Sequence, residues 1–92
     1  MKRNDVDKML SNHEKLNQTD RLKVKSHRQR YDGEWFINTI MVDGVEAPFR
    51  YKRKQEYKSL EGNYVNVTYY STMEKVAGIE MQVMNVVRIR KS

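Results

Sequence analysis

Asp43-Gly44 lies between two runs of alternating apolar residues, and this arrangement constrains the fold more than any other feature of the chain. A two-residue Asp-Gly loop favours a type I′ turn, in which both residues take positive φ and the backbone twist matches an antiparallel hairpin. Residues 34–42 and 45–54 are therefore expected as paired strands. With the turn as anchor, Val42 faces Val45, Ile40 faces Ala47, Asn38 faces Phe49 and Phe36 faces Tyr51. One face of this ribbon is almost wholly apolar. The other sets Trp35, Ile37, Thr39 and Met41 against Glu46, Pro48, Arg50 and Lys52. A slip of one residue would exchange the faces, so the segregation itself specifies the register. Pro48 falls at a non-hydrogen-bonded position, where its missing N–H costs nothing.

The remaining chain supplies the other elements. Val6, Met9, Leu10, His13 and Leu16 follow helical spacing, so residues 4–17 are expected as an amphipathic N-terminal helix. Such a short helix needs a surface to dock on. Residues 18–33 read as a basic connector or a first strand, because Leu22 and Val24 alternate with Arg21, Lys23 and Lys25. Residues 55–60 suggest a turn or short helical connection, 63–70 a strand, 72–78 a loop and 79–90 a last strand. That last strand is apolar on both faces near Met84 and Val86, which calls for cover by the helix or by a dimer partner. Gly33, Gly44, Gly62 and Gly78 all fall at strand boundaries. The pattern is that of a small antiparallel barrel of four or five strands.

Leu60-Glu61-Gly62-Asn63-Tyr64-Val65-Asn66-Val67, followed by Gly78-Ile79-Glu80-Met81-Gln82-Val83, resembles the last two strands of an OB-fold. An SH3-like barrel is the alternative with the same spacing. The OB resemblance implies affinity for single-stranded nucleic acid, although fold alone does not dictate function. The expected class is thus mostly β (α+β), an N-terminal helix plus an OB-like barrel. Its 92 residues form a single domain, 1–92, with the barrel core at 34–92.

Charge points the same way. The formal net charge is +6, and it is unevenly spread. Residues 1–31, 50–58 and 88–92 are basic, whereas 32–49 contain acids and no Lys or Arg. Basic blocks brought together in space would attract a polyanion. Within 50–58, Arg50, Lys52, Arg53, Lys54 and Lys58 interleave with Tyr51 and Tyr57. Alternate cations on a strand stand ~6–7 Å apart, near the phosphate spacing of an extended single strand. Trp35, Arg50, Lys52, Arg53, Lys54, Tyr57, Lys58, Arg88 and Arg90 are accordingly the candidate nucleic-acid-binding residues. Exposed lysines also blunt strand edges against aggregation, which gives the same residues a purely protective reading. The arm 21–30 reads either as a segment ordered by a polyanion or as a charged linker.

Several function classes are disfavoured. There is no cysteine, every glycine is isolated, and His13 and His27 have no carboxylates at ligand spacing. No nucleophile elbow is present. The expectation is a non-enzymatic binding module without metal or cofactor. No apolar run approaches a membrane span and no secretory h-region opens the chain, so the expected location is cytoplasmic. The rival class is a protein-interaction or structural module, either a homodimer joined through residues 79–90 or a subunit meeting an acidic protein partner.

Overall fold

The structure, a computed structural model, describes residues 16–92. Five strands follow in order: β1 (Asn17–Tyr31), β2 (Phe36–Val42), β3 (Val45–Arg53), β4 (Tyr64–Val76) and β5 (Ile79–Lys91). They form a closed barrel in the order β1-β2-β3-β5-β4. No helix occurs among the described residues. The helix expected over 4–17 falls outside them, except that Leu16 is irregular and Asn17 already begins β1.

The basic segment that read as connector or first strand is a long strand serving two neighbours. Asn17 to Lys23 pair with β4, and Val24 to Tyr31 pair with β2. Two irregularities let it bend from one partner to the other. Arg21 takes φ 58 between the pairs Thr19↔Val67 and Leu22↔Val65. Lys25 is the extra residue between Val24↔Val42 and Ser26↔Met41. A one-residue bulge reverses which side chains point inward. Val24 faces the core before it, and His27 shares the inward side with Ile40 after it.

The β2–β3 hairpin corrects the expected register. Val42 does face Val45, but Ile40 pairs with Phe49, Asn38 with Tyr51, Ile37 with Lys52 and Phe36 with Arg53. One residue separates Val42 from Ile40, while three separate Val45 from Phe49. The surplus is absorbed around Glu46, Ala47 and Pro48. Because it is even, the side chains from Phe36 to Ile40 and from Phe49 to Lys52 keep the faces assigned to them while their cross-strand partners move by two. The turn is also not type I′: Gly44 has φ 83, but Asp43 is not among the residues with positive φ. The Asp43 N–H donates to Lys23 O at 3.0 Å, tying the turn to β1 and fixing its peptide.

At the opposite hairpin, the loop expected over 72–78 is instead strand. β4 runs to Val76 and pairs continuously with β5 down to Val76↔Ile79. Ala77 and Gly78, with φ 52 and 83, supply the two left-handed residues of a tight turn. Val87 is the extra residue between Thr68↔Arg88 and Tyr69↔Val86. It swaps the faces of β5, so Met84, Val86 and Ile89 all reach the core side. Val83, on the opposite side of the strand from Met84, is also buried, at 2% exposed, so β5 is covered on both faces at that point.

The ring is not wholly antiparallel, contrary to expectation. β3 and β5 run parallel and pair only through Phe49↔Met84 and Arg50↔Asn85. The core holds Val24, Ile40, Val42, Phe49, Tyr51, Val65 and Val67, with Leu22, Leu60, Tyr69, Met84, Val86 and Ile89 packed around them. Phe49 meets Tyr69 edge-on, with ring centroids 4.9 Å apart. Burying a side chain of this size contributes about 1.5–3 kcal/mol. Asn38 is the one buried polar residue among them, and its amide is satisfied at both ends.

Candidate nucleic-acid interface

Pairing in β1, β2 and β3 sets the outer face of the barrel. Residues His27, Ile40 and Phe49 form an inward row, so the next row, Arg28–Thr39–Arg50, points out. Two residues further along, Arg30, Ile37 and Lys52 form a second outward row. Strands lie about 4.8 Å apart and alternate residues ~6.5–7 Å apart, so each row is one step of a regular lattice. Arg28, Arg30 and Lys52 are exposed, whereas Ile37 and Thr39 are half-buried between them.

The candidate residues divide over this surface. Trp35 lies just before β2, where the shifted register sets it against Lys54 rather than Lys52. The Lys54 ammonium stands 4.3 Å from the indole centroid and 3.7 Å from Glu34 Oε2. Arg50 is engaged: its Nη1 donates to both oxygens of Glu74, at 2.9 and 3.0 Å. That leaves Lys52 as the exposed β3 cation of the two outward rows. Arg28 and Arg30 join the face from β1. Their sequence signal was the alternation Ser26, Arg28, Arg30, hidden by the bulge at Lys25.

A side-chain-built turn closes one end of the face. Asp32 Oδ1 accepts the N–H groups of Glu34 (2.9 Å) and Trp35 (2.8 Å). Those two bonds, Trp35 first, hold the Asp32 carboxyl below its ordinary value, helped by the charges of Lys52 and Arg30. The carboxylate thus fixes the backbone that presents Trp35.

Arg53, Tyr57, Lys58 and Arg90 gather elsewhere, around a cavity of about 220 Å³ between the diverging ends of β3 and β5. Tyr51, Leu60 and Ile89 supply its apolar lining, and His27 and Lys91 also border it. Residues 54–63 cross the opening and are pinned twice. The Gln29 amide bridges Tyr57, donating to its carbonyl at 2.8 Å and accepting its N–H at 2.9 Å. The Leu60 N–H donates to His27 Nδ1 at 2.9 Å. Since Nδ1 accepts, His27 Nε2 bears the proton and donates to Asn38 Oδ1 at 2.8 Å. The Arg53 guanidinium lies 4.8 Å from the Tyr51 ring centroid. Burial pushes the Tyr51 phenol above its ordinary value, against the pull of Arg53.

Arg88 and Arg90 stand opposite Thr68 and Asn66 on the outer side of β5, away from the β1–β3 face. Arg90 lies between this outer side and the rim of the cavity, which its side chain also borders, so the nine candidates do not form one strip. Among the described residues, no cluster of His, Cys, Asp or Glu could hold a metal ion, and no helix is long and apolar enough to cross a membrane. In comparison with known proteins, the chain matches no family model, no curated protein and no solved structure.

Proposed function

We propose that this chain is a non-enzymatic, OB-like module that binds single-stranded nucleic acid across the outer face of β1, β2 and β3. The order β1-β2-β3-β5-β4 with parallel β3 and β5 supports the OB-like reading over the SH3-like one. The observation that carries the function is the pair of cross-strand rows containing Arg28, Arg30 and Lys52 around Ile37, with Trp35 and Lys54 at the margin. Cations at lattice spacing neutralise successive phosphates, and the indole offers a base a stacking surface. A cytoplasmic location belongs to the same reading.

Titrating a labelled single-stranded oligonucleotide at several salt concentrations tests it. Affinity should fall steeply with salt, and Lys52→Ala or Arg30→Ala should each lower the logarithmic slope by about 0.7. No binding at low salt overturns the proposal.

A second reading, a protein-interaction module that pairs with its own copy or an acidic partner, is favoured by the far end of the β4–β5 hairpin. There Met73, Ile79 and Met81 are exposed at 60%, 64% and 44%. Sedimentation separates the two: a monomer at every concentration, binding oligonucleotide, removes the need for self-association.

A further inference from the structure

We propose that the cavity between β3 and β5 is a mononucleotide pocket, in which a base lies beside Tyr57 and a phosphate monoester meets Arg53, Lys58 and Arg90. This site is distinct from the outer face of the sheet and does not depend on it.

The gap follows from the strand pairing. β3 and β5 pair as far as Arg50↔Asn85 and then part, so Tyr51 to Arg53 no longer face a β5 partner. Strand alternation then gives β3 two roles. Arg50 and Lys52 point to the outer face, whereas Tyr51 and Arg53 border the gap. The two surfaces use opposite sides of one strand, so a substitution on either side affects one of them.

The opening is preorganised rather than a slack loop. Its covering segment is held at Tyr57 by both hydrogen bonds of the Gln29 amide and at Leu60 by His27. His27 is itself fixed by Asn38, which is 1% exposed. Despite this fixed backbone, Tyr57 is 53% exposed. A ring on a pinned main chain can stack a ligand without the further cost of ordering its backbone.

The lining selects the chemistry. Arg53, Lys58, Arg90 and Lys91 border the cavity, and no acid does. Lys58, Arg90 and Lys91 form no ion pair with any described residue. Several cations around the rim of one cavity suit a dianionic group, which a phosphate monoester is and a single carboxylate is not. Tyr57 and the Arg53–Tyr51 stack provide flat surfaces for a ring, and Leu60 and Ile89 an apolar floor. At about 220 Å³ the cavity is smaller than the ~300–1,000 Å³ of drug-sized sites, so it suits one ring system and its anion. Two sources present that group: a free nucleoside monophosphate, and the phosphorylated end of a single strand.

Amide chemical shifts of the full chain, recorded while adding AMP to millimolar concentration, test the proposal. Shifts should centre on Tyr57, Leu60 and Ile89. Tyr57→Ala and Lys58→Ala, both exposed positions, should each weaken binding about fivefold or more, while Lys52→Ala leaves it unchanged. Inorganic phosphate and adenosine should each bind more weakly than AMP. Comparing AMP with a 5′-phosphorylated and an unphosphorylated tetranucleotide assigns the source: tighter binding of the phosphorylated strand points to a strand end, and equal or weaker binding to the free nucleotide. The proposal is overturned if shifts centre on Trp35 and Ile37, if no shift appears, or if Tyr57→Ala binds AMP like the parent. AMP binding at the cavity in a chain that shows no salt-dependent oligonucleotide binding would retain this inference and remove the outer-face reading alone.

Discussion

The two tight hairpins of this barrel reach similar ends by different means. Asp43-Gly44 has the composition of a type I′ turn, yet Asp43 does not take positive φ, and a hydrogen bond to Lys23 O sets the geometry. Ala77-Gly78 lacks that composition, yet both its residues are left-handed. The first turn ends strands whose inward residues Ile40, Val42 and Phe49 are wholly buried. The second ends a stem where Val76 and Ile79, cross-strand neighbours, are 47% and 64% exposed. Where tertiary contacts are dense, they override the local preference of the turn. Where they are sparse, the twist of a continuous two-stranded ladder imposes its preferred turn even on an alanine.

The contrast breaks most directly through side-chain truncation. Ile40→Ala should lower unfolding free energy by about 2–5 kcal/mol, because a wholly buried side chain leaves a cavity. Ile79→Ala should stay within ~0.5 kcal/mol. Equal shifts in urea midpoint for the two variants would mean that the hairpin stem is covered in solution.

Glycine substitution sharpens the comparison at the backbone. A Cβ on Gly44 or Gly78 would meet nothing within 4 Å, so the cost of alanine at either is conformational alone. Gly44→Ala and Gly78→Ala should each lose about 1–2 kcal/mol, by an amount set by φ rather than by packing. A much larger loss at Gly44 would mean that its strain propagates into the Asp43–Lys23 bond. At the neighbouring positions the signs should differ. Ala77→Asn replaces a strained residue by one that tolerates positive φ and should raise stability by about 0.5–1 kcal/mol. Asp43→Asn relieves no such strain, and its thermal midpoint should barely move.

A pH-dependent effect belongs to a third kind of turn, the one built by the Asp32 side chain. Its carboxyl is held low by the N–H groups of Trp35 and Glu34. Stability from it is complete above the ordinary carboxylate range and is lost as pH falls through the depressed value. The stability gap between the parent and Asp32→Asn should therefore narrow in strong acid. A gap independent of pH would show that the carboxylate charge contributes nothing.

These contrasts also explain what could be read in the chain beforehand. The inward and outward faces of residues 36–40 and 49–52 are legible because the register offset is even, which preserves parity. Their partners are not, because the simple turn-anchored register sets Trp35 against Lys52 instead of Lys54. Single-residue bulges at Lys25 and Val87 have no composition of their own, and each breaks an alternation that would otherwise announce a strand face. The first hides the strand face that Arg28 and Arg30 share, although the arm 21–30 is visibly basic, and the second makes Met84 and Val86 look as though they need an external cover. The cations of 50–58 are visible as a cluster, but strand alternation sends Lys52 and Arg53 to opposite sides of β3, and Lys54 and Lys58 lie beyond its end. Glu74, which engages Arg50, sits in a stretch that read as loop, so nothing in the sequence connected the two.

Closing the cylinder through so few residue pairs has a kinetic consequence. The two hairpins are local in sequence and can zip independently, whereas Phe49 must find Met84 across a long intervening segment. Contacts of that separation are slow to form, so the joining of β3 to β5 should be a late event during folding. An occupant that recognises only the joined form would then slow its opening, and the lifetime of the native state would lengthen as that compound is added.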